Sequence, residues 1–230
     1  MKKLKKIIKT TIIIIVLLVG YFVYSGYSMY KNALDKASID KMISTIKLKD
    51  NYTKIEDISE TYKNAVVATE DHRFYKHNGI DLTSILRAFI TDIKSLSFKE
   101  GGSTITQQLS KNMYFTQDKK IERKIAEIFM ARDIEKKYSK NEILEFYLNT
   151  SYYGNGYYSI KEATIGYFNK IPKDISDKEA ISLAGIFSAP TYYNPNYNAE
   201  INNKRRKVVI SKMIKYGYLK NSETKEILNN

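Results

Sequence analysis

The sequence predicts an all-α protein, one domain behind an N-terminal transmembrane helix. Three observations carry that expectation. Apolar residues recur at helical spacing through most of the 230 residues, and no convincing run alternates in the manner of a strand. Only three prolines are available to interrupt helices. No charge occurs from Thr10 to Tyr30, in "TTIIIIVLLVGYFVYSGYSMY". That length matches the roughly 20 apolar residues a helix needs to cross a bilayer.

The elements follow in order. "MKKLKKIIK" (residues 1–9) is a basic tail with five lysines, which holds the start of the chain in the cytoplasm and places everything beyond residue 30 outside. Residues 10–30 are the anchor. No clear small-x-small cleavage site follows the apolar core, so an uncleaved anchor is favoured over a signal peptide, with Ser25-Gly26-Tyr27-Ser28 a weak candidate site. Residues 31–57, polar and rich in lysine, are expected as a stalk, and 58–230 as the domain. A first domain helix is expected from Ser59 to Gly79, a good terminating residue. "DLTSILRAFITDIKSLSF" carries Leu82, Ile85, Leu86, Phe89, Ile90, Ile93 and Leu96. An ordinary core helix is the favoured reading there, and a helix lying on the membrane the alternative.

"EGGSTITQQLSKNMYF" reads as a glycine turn, a Ser103 N-cap and a helix. "RKIAEIFMARDIEKKY" is a long charged and apolar helix, and Ser139 with Glu142 gives the next helix a capping box. "SYYGNGYYS" is a loop; "IKEATIGYF" and "SDKEAISLAGIFSAP" are helices, the second stopped before Pro190. A last helix runs from about Ala199 to Gly217.

Composition narrows the chemistry. A net charge of +13 calls for an anionic partner, and an extracellular domain makes nucleic acid the wrong one, leaving anionic lipid or a phosphate-bearing substrate. With no cysteine there is no disulfide, thiolate metal site or thiol nucleophile. On the expected first helix Glu70, Phe74 and His77 share a face. Its position near a negative helix end should raise the pKa of Glu70, as suits a general base, although a surface glutamate beside Asp71 explains it equally well. Thr104, Gln108 and Lys111 share another face, with a hydroxyl, an amide and a cation suited to a sugar phosphate, or simply to water. For Arg123 and Glu127 the ordinary explanation is a surface ion pair worth roughly 0.3–0.5 kcal/mol. His72 and His77 belong to no metal-binding pattern, and a structural hydrogen bond is the favoured role of His77. The tyrosines of "YYGNGYY" could stack on sugar rings.

These stretches together resemble the peptidoglycan glycosyltransferase family over residues 58–196. "TEDHRFYKHNGID" is similar to its first motif, E-D-x-x-F-x-x-H-x-G, and "GGSTITQQLSKN" matches the second almost letter for letter. "RKIAE", "KNEILEFYLN" and "LAGIFSAPTYYNP" resemble the third, fourth and fifth. The chain departs from the family pattern at Ser159, where a glycine is usual, and at Ile186-Phe187-Ser188-Ala189-Pro190, where Leu-Pro-Gln-Ala-Pro is common.

The resemblance implies a lysozyme-like, two-lobed fold and a polymerase of lipid II. It gives Glu70 the role of base for the acceptor 4-hydroxyl and Glu127 a role on the donor side. Asp71, Phe74, Ser103, Thr104, Gln107, Gln108, Lys111, Lys119 and Arg123 would bind substrate, with Lys111, Lys119 and Arg123 offsetting charge on the leaving diphosphate. No metal site is implied, though a divalent cation (Mg2+ or Mn2+) is compatible with the chemistry. The implied partners are lipid II, the nascent glycan chain, membrane lipids and other proteins of cell-wall synthesis. Some 33 residues remain after residue 197, so no transpeptidase domain is expected to follow. A lysozyme-like muramidase and an inactive glycan-binding scaffold are the competing readings.

Overall fold

In the computed structural model, the structure describes residues 2–95, 101–116, 118, 120–196, 199–223 and 227. Eleven α-helices are found among them and no strand. They are α1 (Lys2–Lys36), α2 (Ile39–Lys47), α3 (Glu60–Glu70), α4 (Leu82–Ser95), α5 (Ile105–Tyr114) and α6 (Ile121–Lys137). α7 (Lys140–Leu148), α8 (Ile160–Phe168), α9 (Asp177–Ala184), α10 (Pro190–Tyr193) and α11 (Ala199–Lys215) complete the chain.

α1 is 35 residues long, about 52 Å at the helical rise, and its apolar stretch is long enough to cross a membrane. Its second half leaves that role and packs on α6. Gly26 allows the approach, since a Cβ there would lie 2.6 Å from Cβ of Ile125. Tyr27 and Tyr30 then set their rings against Phe129, with centroids 5.2 and 5.7 Å away.

Residues 31–57 are folded onto the domain and do not form the expected stalk. Ser38 caps α2, whose Ile39, Ile43 and Ile46 are buried in the core, each worth about 1.5–3 kcal/mol. The chain beyond is tied to α7: Thr53 and the Asn149 side chain exchange two hydrogen bonds of 2.8 Å, and Ile55 N donates to Glu145 at 2.7 Å. Lysine content concealed an i, i+4, i+7 isoleucine stripe.

Two helices form the centre. α3 buries Tyr62, Ala65, Val66, Val67 and Ala68 against α9 and α11, and α5 buries Ile105, Leu109 and Met113 against α6 and α7. Ser59 starts α3 as expected, but the helix ends at Glu70 rather than Gly79. Asp71 leaves helical geometry (φ −157°, ψ 72°) because its carboxylate is engaged elsewhere, and Phe74–Lys76 form only a 3-10 turn. Glu70, Phe74 and His77 therefore do not share a helix face. Gly79, at φ +84°, serves a close approach to the backbone of Ala131.

Other boundaries also move. The N-cap of α5 is Thr104, not Ser103; it forms a capping box with Gln107. α9 stops at Ala184, and Ile186–Ser188 tightens into a 3-10 turn before Pro190 opens α10 at a position that needs no N–H. The Ser139–Glu142 capping box is present, and α11 ends in bonds from Gly217 N to Ile214 O and Tyr218 N to Met213 O, the Schellman arrangement. Ser159 N-caps α8 at φ −146°, a geometry that needs no glycine.

α4 is not the core helix that was favoured. Leu82, Ile85, Leu86 and Ile90 face outward, while Asp81 and Ser84 are buried. The Asp81 carboxylate accepts from Thr83 N at 3.0 Å and from Ser84 Oγ at 2.6 Å, and its ion pair with Arg73 (3.0 Å) turns the polar face inward. The side chains of Phe89 and Ile93, and Leu96 itself, lie outside the described residues.

Candidate active site

A cleft of about 630 Å³ opens where the ends of α3 and α11 meet the start of α5. Glu70, the last residue of α3, lies in its wall. Gln108, one turn into α5, donates from Nε2 to Glu70 Oε2 at 3.2 Å. Burial pushes the Glu70 carboxyl above the usual carboxylate range; the Gln108 hydrogen bond and the charges of Lys212 and Arg205 oppose it. The direction is the one expected, but burial rather than the helix end is its leading cause.

Asp71 and Phe74 do not line the cleft. The Asp71 carboxylate is buried, 2.9 and 3.1 Å from His77 Nε2, and it accepts from Ile105 N at 3.0 Å. It thus latches the end of α3 to the first turn of α5 and sets Glu70 beside Gln108. His77 has the structural hydrogen bond expected of it. Phe74 is fully buried under the Lys140 ammonium, 4.5 Å from the ring centroid.

On α5 the expected face divides. Thr104 and Gln107 are buried and occupied by capping: Gln107 N donates to Thr104 Oγ1 at 3.1 Å, Thr104 N to Gln107 Oε1 at 3.0 Å, and Thr104 Oγ1 to Gly79 O at 2.7 Å. Ser103, Gln108 and Lys111 do line the cleft. Lys119 lies outside the described residues.

Arg123 and Glu127 are not a surface pair. Glu127 is 2% exposed, held at 3.1 Å by Arg123 Nη1 and at 2.8 Å by Lys124 Nζ. Lys124 Nζ also donates to Ser103 Oγ at 2.6 Å, which carries the cluster to the cleft wall. Lys111 faces the same group; burial lowers its pKa, Glu127 opposes that, and Arg123 and Lys124 reinforce it. Three cations around one carboxylate leave an excess of two positive charges, a setting for a diphosphate.

Sequence reasoning missed several residues here. Lys124 was legible, standing beside Arg123 in the same motif. Arg205 and Lys212 come from α11, far along the chain. Arg205 Nε donates to Gly185 O at 3.0 Å, its guanidinium bonds Ser188 and lies over the Tyr193 ring, and Lys212 Nζ donates to Thr69 O at 2.9 Å. His72 stacks on Tyr216 with centroids 3.8 Å apart, and Arg87 Nη1 lies 3.1 Å from His72 Nε2. Burial and the Arg87 charge lower the His72 pKa, which favours the neutral ring. The departures in the fifth motif leave the cleft open: Phe187 packs inward on Tyr147 and Tyr153, and Ser188 lines the cleft. No group of three or more His, Asp or Glu suited to a metal occurs among the described residues.

Comparison with known proteins adds to this geometry. The sequence pattern of the family described as Transglycosylase matches residues 37–214. Penicillin-binding protein 2a of Streptococcus pneumoniae is 44% identical over 177 residues, 76% of this chain and 24% of that protein. Penicillin-binding protein 1F of Bacillus subtilis is 43% identical over 169 residues, 74% of this chain and 24% of its own length. Penicillin-binding protein 1A of Aquifex aeolicus is 37% identical over 233 residues, 94% of this chain and 32% of its own. The chain thus spans 24–32% of the length of these relatives.

Proposed function

The chain belongs to the transglycosylase family, the peptidoglycan glycosyltransferases whose motifs it carries, and we propose that it polymerises lipid II into glycan strands. The observation that carries this reading is one cleft lined by a desolvated Glu70 carboxylate and by Lys111 and Ser103, with Lys124 joining Ser103 to the buried Glu127–Arg123 pair behind that wall.

Glu70 takes the proton of the acceptor N-acetylglucosamine 4-hydroxyl, and the oxygen attacks the anomeric carbon of the growing chain. The α-linked polyprenyl diphosphate leaves from the opposite face, so a β-1,4 bond forms with inversion. The departing group is anionic and calls for cations rather than a proton. Glu127 holds Arg123 and Lys124 towards the place where that charge develops. A glycosidase instead needs two carboxylates flanking the bond, one of them a proton donor. A lytic role would leave the three cations without a task. A divalent cation, Mg2+ or Mn2+, would be held chiefly by the diphosphate.

The setting is a membrane surface. The apolar run of α1 spans the bilayer with the N-terminal lysines in the cytoplasm and the domain outside. The outward leucines and isoleucines of α4 rest on the lipid, which brings the cleft within reach of lipid-linked donor and acceptor. Offering the full-length protein lipid II and preformed glycan in parallel separates the readings. Polymer from lipid II supports the transferase. Fragments from preformed glycan, with lipid II untouched, would assign a muramidase instead.

A further inference from the structure

We infer that Tyr147 of α7, buried behind the cleft, is a positioning residue for the base: its phenol fixes the Gln108 amide, and the amide fixes Glu70. The inference rests on the reading of Glu70 as the base.

Tyr147 is 1% exposed. Its hydroxyl donates to Gln108 Oε1 at 3.2 Å, and the other end of the same amide donates to Glu70 Oε2 at 3.2 Å. Gln108 is thus suspended between a phenol and a carboxylate, and chemistry allows one polarity. An ionised carboxylate only accepts, so the amide must present its NH2 to Glu70 and its oxygen to Tyr147. The phenol must then donate. It keeps the proton to do so, because burial and the Glu70 charge hold its pKa well above the ordinary value. The phenol itself has little freedom: its ring packs on Phe187, with centroids 5.5 Å apart, and its helix is capped by Ser139 and Glu142.

Without the phenol the amide loses the partner that tells one end from the other. A flipped amide would set its oxygen against the carboxylate, which is repulsive. With the phenol in place Gln108 occupies Oε2 and leaves Oε1 for the proton of the incoming hydroxyl. The other charged and titratable groups facing Glu70 are Asp71 beside it, Tyr62 on α3, Lys111 on α5, and Arg205 and Lys212 on α11. These act on Glu70 as fields, whereas the Gln108 amide orients one named oxygen.

The test uses the full chain with Tyr147→Phe, Gln108→Ala and both together. Two quantities are read: the pH dependence of lipid II polymerisation, and the titration of the Glu70 carboxyl by 13C NMR without substrate, its signal assigned by loss in Glu70→Gln. Tyr147→Phe should lower kcat on the order of tenfold with KM little changed, part of the roughly 10²–10⁴ that a positioned base supplies. Because a donor to the carboxylate is loosened, the Glu70 titration and the acid limb of the rate should both move to higher pH. The double variant should be no worse than Gln108→Ala alone. A folded Tyr147→Phe whose Glu70 titration does not move, or losses that add in the double variant, would overturn the inference. If the parent made no polymer, the proposed function would fail, and the titration would still decide the Tyr147 relay.

Discussion

Burial raises the pKa of Glu70 against the opposing pull of Gln108, Lys212 and Arg205, so its charged form weakens the fold. Relative to a neutral side chain the penalty begins above the ordinary carboxyl range and is complete above the raised folded value. Glu70→Gln should therefore melt at a higher temperature than the parent at pH 8, with the gap closing as the solution is made acid. Equal melting curves at pH 8 would contradict the burial argument. Activity runs the opposite way, falling as pH drops through the raised value. Lys124 offers a second test at this scale. Lys124→Met removes the ammonium that joins Ser103 to Glu127 and should reduce kcat about a hundredfold, the scale of one lost donor at a developing negative charge. Lys136→Met, on the exposed side of the same helix, should leave kcat unchanged. That Glu70 and Lys111 come together was legible only through the resemblance of their motifs to the family, and Arg123 by its residues alone read as a surface ion pair. Arg205, Lys212 and the Tyr147 contact were not legible, since folding alone brings Lys212 of α11 to Thr69, 143 residues away, and Tyr147 of α7 to Gln108, 39 residues away.

Helix starts were legible where a serine both caps and pairs with a glutamate three residues on, as at Ser139; the same arrangement at Ser176 emerged only from the structure. Their ends were less so. α3 looks able to continue past Glu70, and what stops it is the bond from Ile105 N to Asp71, 34 residues away. Asp71→Ala leaves Ile105 N and the His77 ring without their buried partner and should cost about 1–3 kcal/mol, the scale of a buried polar group left unsatisfied, read as a lower Tm together with weakened activity. α4 makes a different kind of prediction, because its outward residues are apolar. The chain has no cysteine, so a single Leu86→Cys variant can be labelled with a fluorophore in reconstituted vesicles. Brominated lipid should quench a label at residue 86 and leave one at Lys161→Cys bright. Equal quenching at the two positions would remove α4 from the membrane surface.

At the scale of the molecule, α1 both carries an apolar run long enough to cross a membrane and packs as part of the domain. Its apolar half is free to enter a bilayer, while Gly26, Tyr27 and Tyr30 are packed on α6. α6 is also the helix that carries Arg123, Lys124 and Glu127, so one element joins the apolar helix α1 to the cation cluster behind the cleft wall. The all-helical class followed from apolar spacing, the lack of alternating runs and the scarcity of proline. The folding of residues 31–57 onto the domain did not, because lysines mask the Ile39, Ile43 and Ile46 stripe and the tie of Thr53 and Ile55 to α7 is made by Glu145 and Asn149 far along the chain. The central claim is that Glu70 is the base of a glycosyl transfer to which this arrangement is suited. Its most direct test is lipid II consumption by the full-length protein in detergent, with Glu70→Gln beside it. Glycan polymer from the parent, and none or at least a hundredfold less from the folded variant, is the predicted result. Equal polymer from both would contradict it.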